Sequence, residues 1–446
     1  MTIPDDPLYS QEWGVEKIEA PFAWDRATGS DDVLIAVLDT GIDYTHPDLS
    51  GNIWSNTGEV PGNLIDDDGN GFVDDTTGWN FFSDTSDPAD TNGHGTACAG
   101  IIGAVGNNGL GIAGTLWDAK IVPLTVIGPE GCGYESDAID AVLYADAIGA
   151  DIVSISWGGT APYPALHDAM AASPALFVCA AGNSGMNNDE SPVYPASFDL
   201  QNVISVAASD ENDNLAQFSN FGAVSVDIAA PGAGILSTAP GGGYSSYSGT
   251  SMAVPFVSGV AGLVKAENPG YSNIQVKEAI LASVDDVASL EGKVAAAGRL
   301  NARSALGAAV NPTPTAPPVP SPTPTATPVP TFELREAPPN PAFVRFVEQG
   351  VEDTGPTGEN TGYLPSPLDL SYLSDSGTEI ATLAFPSSYS LVPEGRVTPV
   401  RDQGSCGDCW AYGAYGSLES TLMPGEPRNF NEWHLNVNHG FDYPSC

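Results

Sequence analysis

Residues 311–331 read NPTPTAPPVPSPTPTATPVPT, nine prolines and six threonines in 21 positions. Such a tract has few backbone donors and no apolar periodicity, so it cannot join a core and is expected to be an extended, disordered spacer. Its Thr interleaving without flanking charge fits a plain tether better than a ligand for a proline-reading module. The tract divides the 446 residues into 1–310 and 332–446, where length alone would suggest two to three domains. It also divides the charge: 8 basic and 40 acidic residues precede it, and 5 basic and 16 acidic ones lie in 311–446. The net charge of −43 therefore belongs to the whole chain, which suits solubility or high salt. So acidic a chain lacks the Lys/Arg clusters that nucleic acid or anionic membranes demand. No uncharged apolar run reaches the ~18 residues needed to span a bilayer.

Before the tract, near-continuous apolar runs alternate with helical spacing. Val33–Leu38, Ile152–Ser156 and Ala175–Ala180 read as strands buried on both faces of a parallel sheet. Between them, Ile139, Val142, Leu143 and Ala147 predict the apolar face of a helix over 136–148. Strand–helix–strand alternation implies an α/β domain whose functional groups sit at the carboxyl ends of strands. The first strand ends in Asp39-Thr40-Gly41, a glycine-flanked His94 opens a helix in Asn92-Gly93-His94-Gly95-Thr96, and Gly249-Thr250-Ser251 opens an apolar helix through Val264. Taken singly, Asp39 is a loop start, His94 a structural histidine and Ser251 an N-cap.

Taken together, the three segments in this order resemble the subtilisin-like serine proteases, most closely their thermitase-like branch, from about Asp6 to about Ala305. The resemblance implies a three-layer domain with a mostly parallel central sheet, a serine endopeptidase activity on protein or peptide substrates, and a monomer. It makes Ser251 the nucleophile, His94 the general base and then acid, and Asp39 the group that orients the imidazole. Asn183, in Ala180-Ala181-Gly182-Asn183-Ser184, becomes the side-chain donor of the oxyanion hole; on its own it could be an Asn tolerating a left-handed turn. Substrate is expected to add as a β-strand between Gly131-Cys132-Gly133 and Ser156-Trp157-Gly158-Gly159, where glycines bare the backbone. Trp157 would wall an apolar pocket, although it could equally be core.

Two acidic stretches bear on Ca²⁺. Asp66, Asp68, Asn70 and Asp74 stand at positions 1, 3, 5 and 9 of a calcium-type loop with Gly71 at position 6, but Thr77 replaces the bidentate Glu of an EF-hand, and a solvated acidic loop is the alternative. The second set is implied by the resemblance alone: Asp6, Asp48 and Asn108, with the backbone oxygens of Val105, Leu110 and Ile112. Asp84 and Asp87 form a weaker third candidate.

The six cysteines fall three on each side of the tract. Cys98 lies one helical turn after His94 and, by the same resemblance, is a buried free thiol; Ala97 departs from the His usual there. Cys132 and Cys179 have no clear partner. Beyond the tract, Gln403-Gly404-Ser405-Cys406-Gly407-Asp408-Cys409-Trp410 resembles the nucleophile region of papain-like cysteine proteases. That makes Cys409 a nucleophile, Gln403 its oxyanion donor, and Cys406–Cys446 the family's disulfide. The partner His and Asn belong ~130–150 residues downstream, whereas the chain ends 37 residues after Cys409. His434 and His439 lie too close to be that His, so 332–446 is expected to be an incomplete, inactive papain-like α+β domain. Met1 is followed by neither a basic nor an apolar signal region; the extracellular type of tether and the unfinished last domain nevertheless lead to the expectation of a secreted protein whose written sequence is incomplete or processed.

Overall fold

The computed structural model describes residues 1–308. In chain order its strands are β1 (Gly29–Asp39), β2 (Trp79–Asn80), β3 (Asp118–Thr125), β4 (Ile152–Ile155), β5 (Leu176–Ala180), β6 (Val203–Ser209), β7 (Ile228–Pro231), β8 (Ile235–Ala239), β9 (Gly243–Tyr247), β10 (Asp285–Asp286) and β11 (Gly298–Arg299). The helices are α1 (Trp13–Lys17), α2 (Ala20–Ala23), α3 (His94–Gly103), α4 (Glu135–Ala147), α5 (Pro164–Ala172), α6 (Thr250–Glu267), α7 (Asn273–Leu281) and α8 (Ala302–Gly307). The predicted spacer at 311–331 and everything assigned to 332–446, including Gln403, Cys406, Cys409 and Cys446, lie outside the described residues.

Nine strands form one sheet in the order β10-β11-β7-β6-β5-β4-β1-β3-β2, with β8 and β9 as a separate antiparallel hairpin. Every pairing in the large sheet is parallel except β10 with β11. The three predicted strands are thus β1, β4 and β5, lying side by side at the centre.

Alternate residues of β1 feed two cores because successive side chains point to opposite faces. Ile35 and Val37 pack with Cys98 and Ile102 of α3 and Val257, Val260 and Val264 of α6. Ala36 and Leu38 pack with Val142 of α4 and Leu166 and Met170 of α5. Helices therefore cover both faces, as the strand–helix alternation implied, and helix α6 is buried continuously from Thr250 to Val264. A helix apolar on every side must be enclosed.

The face of α4 matches expectation at Val142 and at the partly buried Ile139 and differs at the other two positions. Ala138, Ala141, Val142 and Ala145 are buried, whereas Leu143 is 52% exposed and Ala147 is also at the surface. The three alanines keep the 3–4 spacing and are small enough to bring the helix close to the sheet.

Candidate active site

The Asp39 carboxylate ends β1, is fully buried, and lies with Oδ1 2.7 Å from His94 Nδ1. The Thr40 N–H donates to the same oxygen at 2.8 Å, which fixes the carboxylate plane. His94 opens α3, and the first turn packs so tightly that a methyl at Gly95 would overlap the Gly41 carbonyl. That close approach explains the glycine after His94. The Asp39 charge raises the His94 pKa above the ordinary imidazole range, against the opposing effect of burial.

Asp90, which sequence reasoning missed, organises the helix start. Its Oδ1 accepts from Thr40 Oγ1 and from the N–H groups of Asn92 and Gly93, and its Oδ2 accepts from the N–H and Oγ1 of Thr96. Gly93 is the N-cap and has no side chain, so Asp90 satisfies the free donors of the helix N-terminus from three residues further back; the available signal was an Asp four residues before His94.

Ser251 is the second residue of α6 and is 7% exposed. Pro255 lies four residues later and has no N–H, so the Ser251 carbonyl is left out of the helical ladder. It accepts instead from Ser156 Oγ at 3.0 Å and Cys98 Sγ at 3.5 Å. Cys98 Sγ also lies 4.0 Å from His94 Nδ1 and 3.8 Å from Asp39 Oδ2, so one buried thiol touches all three segments. Burial raises its pKa, which keeps it a neutral donor. No hydrogen bond joins Ser251 Oγ to His94 Nε2 among the described residues; such contacts commonly tighten only with substrate bound.

Asn183 follows Gly182, which takes the left-handed conformation (φ 111°) so that Asn183 does not. Its Oδ1 accepts from the N–H of Thr250 at 2.8 Å and from Thr250 Oγ1 at 3.0 Å, leaving the amide NH₂ to face outward. A methyl placed on Gly249 would lie 2.7 Å from Ser251 Oγ and 3.4 Å from Asn183 Nδ2, so both groups border the space that this glycine leaves open.

A cavity of about 270 Å³ is walled on one side by Trp157 and Gly158, the residues that follow Ser156 in the chain. Gly131, Cys132, Gly133, Trp157 and Gly158 line it, as the two expected cleft segments require. Ala138, Tyr163 and Leu166, unforeseen, complete its apolar wall. Trp157 donates its indole N–H to the Leu38 carbonyl at 2.8 Å, which fixes the ring as a wall of the cavity. Ser156 turns its Oγ inward to the Ser251 carbonyl, and Gly159 already exchanges both backbone hydrogen bonds with Tyr194, so Gly159 has no free backbone group there.

Two oxygen clusters could hold a hard cation. In the first, Asp6 Oδ2 and Oδ1 accept from the N–H groups of Asn107 and Asn108, Asp48 Oδ1 accepts from Asn108 Nδ2 at 2.8 Å, and Asp48 Oδ2 from the Ile112 N–H at 3.0 Å. Val105 N–H reaches the Asp48 carbonyl, and Leu110 N–H reaches Asn108 Oδ1. Glu12, unforeseen, is buried nearby; burial and the charges of Asp6 and Asp48 hold its carboxyl well above its ordinary range. Burial likewise raises Asp6. Among the described residues no ion pair reaches any of these three acids. Buried carboxylates without a cationic partner fit a divalent ion.

In the second cluster, Asp66 and Asp68 converge with the buried Glu59, another residue the loop spacing did not reveal. Backbone amides donate to three of the loop's acids alike: Gly62, Asn63 and Leu64 to Asp74, Gly69, Asn70 and Gly71 to Asp66, and Asp67, Asp68 and Asp74 to Glu59; Asn70 Nδ2 donates to Asp68 and Asp75. Of the third candidate pair, Asp87 accepts from Tyr44 Oη, whereas Asp84 lies within electrostatic reach of Asp137 and Asp140. Cys98, Cys132 and Cys179 are all free, with Cys132 exposed.

Comparison with known proteins accounts for both parts of the chain. The Subtilase family matches residues 30–305, and the papain family of cysteine proteases matches residues 385–431. Thermitase of Thermoactinomyces vulgaris is 40% identical over 307 residues, covering 68% of this chain and 99% of thermitase. Subtilisin Savinase of Lederbergia lenta is 38% identical over 271 residues, covering 60% and 89% respectively. A solved protease structure from Pseudoalteromonas arctica superposes with a TM-score of 0.58 at 28% identity, covering 68% of this chain and 98% of that one. The parallel sheet with helices on both faces, the ordered Asp39, His94 and Ser251 segments, and identity along nearly the whole of thermitase lead to one conclusion: the chain belongs to the Subtilase family and is a subtilisin-like serine endopeptidase, followed by a papain-like segment.

Proposed function

We propose that Ser251 is the nucleophile of this endopeptidase, His94 its base and acid, Asp39 the orienting carboxylate, and Asn183 with the Ser251 N–H the oxyanion hole. The observation that carries this is the 2.7 Å contact between His94 Nδ1 and the buried Asp39 carboxylate, on a helix joined to Ser251 through Cys98. His94 Nε2 takes the Ser251 proton as Oγ attacks the scissile carbonyl, and Asp39 stabilises the resulting imidazolium. The proton then passes to the leaving amine, and water hydrolyses the acyl-enzyme by the same route. Gly131, Gly133, Trp157 and Gly158 border the peptide, and Ser156 acts through its hydrogen bond to the Ser251 carbonyl. A serine-directed covalent reagent is expected to label the wild type and not Ser251→Ala. Absence of both labelling and peptide cleavage in calcium-containing buffer would instead leave a retired protease fold serving a binding role.

Thr250 fixes the Asn183 amide by donating its N–H and Oγ1 proton to Asn183 Oδ1, so the NH₂ group stays available to the developing oxyanion. Asn183→Leu is expected to lower kcat by about 10²–10³ with a smaller change in KM, the magnitude known for the corresponding donor of a subtilisin. Equal losses in binding and turnover would count against this role.

We infer that Ca²⁺ is the resident ion, held by Asp6, Asp48 and Asn108 with carbonyls of the 105–112 loop, and by Asp66 and Asp68 with the converging Glu59. Its contribution is structural: it offsets buried negative charge and ties the N-terminal residues to the domain. Chelation should lower the Tm of Ser251→Ala protein by on the order of 10 °C, since saturation at 1,000 times Kd stabilises by about 4 kcal/mol. Equal Tm values in chelator and in millimolar calcium would exclude this.

The protein is further proposed to be an extracellular monomer built as a protease domain (1–310), a spacer (311–331) and a papain-like segment (332–446). The described residues contain no helix long and apolar enough to cross a membrane. Hydrolysis by this chain should be insensitive to E-64, because in this reading Ser251 and not a thiol attacks the peptide. A fraction of activity lost to E-64 and retained by Ser251→Ala would show the thiol domain to be working.

A further inference from the structure

The β8–β9 hairpin touches the first cation cluster and both segments of the active centre. At one end, Tyr244 Oη donates to Asp48 Oδ2 at 3.1 Å, the same oxygen that takes the Ile112 N–H. The loop is shaped around this hydroxyl, because a methyl at Gly111 would overlap it. His46 braces the contact: Nε2 lies 3.0 Å from the Gly243 carbonyl, and its ring meets Tyr244 edge-on at 5.4 Å. At the other end, Ser237 Oγ donates to the Ala97 carbonyl at 2.6 Å and Thr238 Oγ1 to the Thr96 carbonyl at 2.7 Å, both in the first turns of α3 after His94. The chain leaves the hairpin at Tyr247 and reaches Ser251 four residues later.

We propose that Tyr244 is a positioning residue through which a divalent cation at the Asp6–Asp48–Asn108 cluster orders the β8–β9 hairpin, and with it the approach to His94 and Ser251. The proposal rests on the calcium reading above. A carboxylate has about four acceptor positions, and Asn108 Nδ2, Ile112 N–H and Tyr244 Oη take three of those on Asp48. The carboxylate thus keeps one orientation toward an ion. Without an ion, its charge stands among buried acids, and the Asp48–Tyr244 bond must hold against that repulsion. Outer hydrogen bonds of this kind govern metal affinity by about 10- to 100-fold.

The test uses full-length Ser251→Ala protein, to suppress autolysis, with and without Tyr244→Phe. Calorimetric titration of the chelator-treated proteins with Ca²⁺ should show binding about 10-fold or more weaker for Tyr244→Phe. Amide hydrogen exchange over 235–247 should slow on adding Ca²⁺ to the Tyr244 protein and change little in the Phe variant. Unchanged affinity in Tyr244→Phe, or exchange over 235–247 indifferent to Ca²⁺ in the Tyr244 protein, overturns the proposal while leaving calcium binding intact. No calcium binding by the Tyr244 protein overturns the calcium reading and this one with it. Should Tyr244→Phe fail to fold, exchange in the Tyr244 protein alone decides.

Discussion

Ser251→Ala is expected to lower kcat by about 10⁶, the factor that the corresponding change produces in a subtilisin. The loss should fall on turnover with little effect on folding. Ser251 is tied into its surroundings through its carbonyl, which Ser156 and Cys98 satisfy, and those bonds survive truncation of the side chain. Residual hydrolysis of about 10³–10⁴ over water should persist, because the oxyanion donors and the cleft remain. Cys98 cannot substitute as nucleophile: its thiol is fully buried, its pKa is raised by burial, and it is already directed to the Ser251 carbonyl. Residual activity should therefore resist thiol reagents. Near-normal turnover in Ser251→Ala, with a correct mass and melting curve, would remove Ser251 from the mechanism.

The chemistry was legible because each chemical group sits in a short contiguous motif. Strands β1, β4 and β5 could be read because burial on both faces removes the polar alternation that other strands keep. What remained hidden consists of hydrogen bonds between distant parts of the chain. Asp90 serves Thr40 from fifty residues away, and Ser156 serves the Ser251 carbonyl from ninety-five. Pro255 was visible in the motif, but its consequence depends on which donors the fold brings to the freed carbonyl. The cation clusters show the same limit from the other side. Loop spacing pointed to Asp66, Asp68 and Asp74, whereas the oxygens that converge are those of Asp66, Asp68 and Glu59, which arrives from outside the spacing pattern. In helix α4 the expected Val142 and Ile139 do face the core, but Leu143 and Ala147 do not, because Ala138, Ala141, Tyr144 and Ala145 fill the rest of the buried face.

Asp39→Asn carries the second large effect, and its sign can be worked out from the His94 environment. The Asp39 carboxylate raises the His94 pKa by stabilising the imidazolium. Attack needs the neutral imidazole, so wild-type kcat/KM should rise with pH along a limb lying above the ordinary imidazole value of about 6.5. Asparagine keeps the shape but removes the charge and permits the wrong tautomer, which should lower kcat by about 10⁴. It should also move the acid limb to lower pH. Stability follows the same linkage: a raised folded-state pKa contributes fully below the unfolded value of about 6.5 and is lost as pH rises through the folded one. The Tm deficit of Asp39→Asn should therefore be largest below pH ~6.5 and shrink in alkali. A loss of rate with an unmoved acid limb would mean that a group other than the Asp39–His94 pair sets the protonation state required for attack, and the base would have to be sought elsewhere in the cleft.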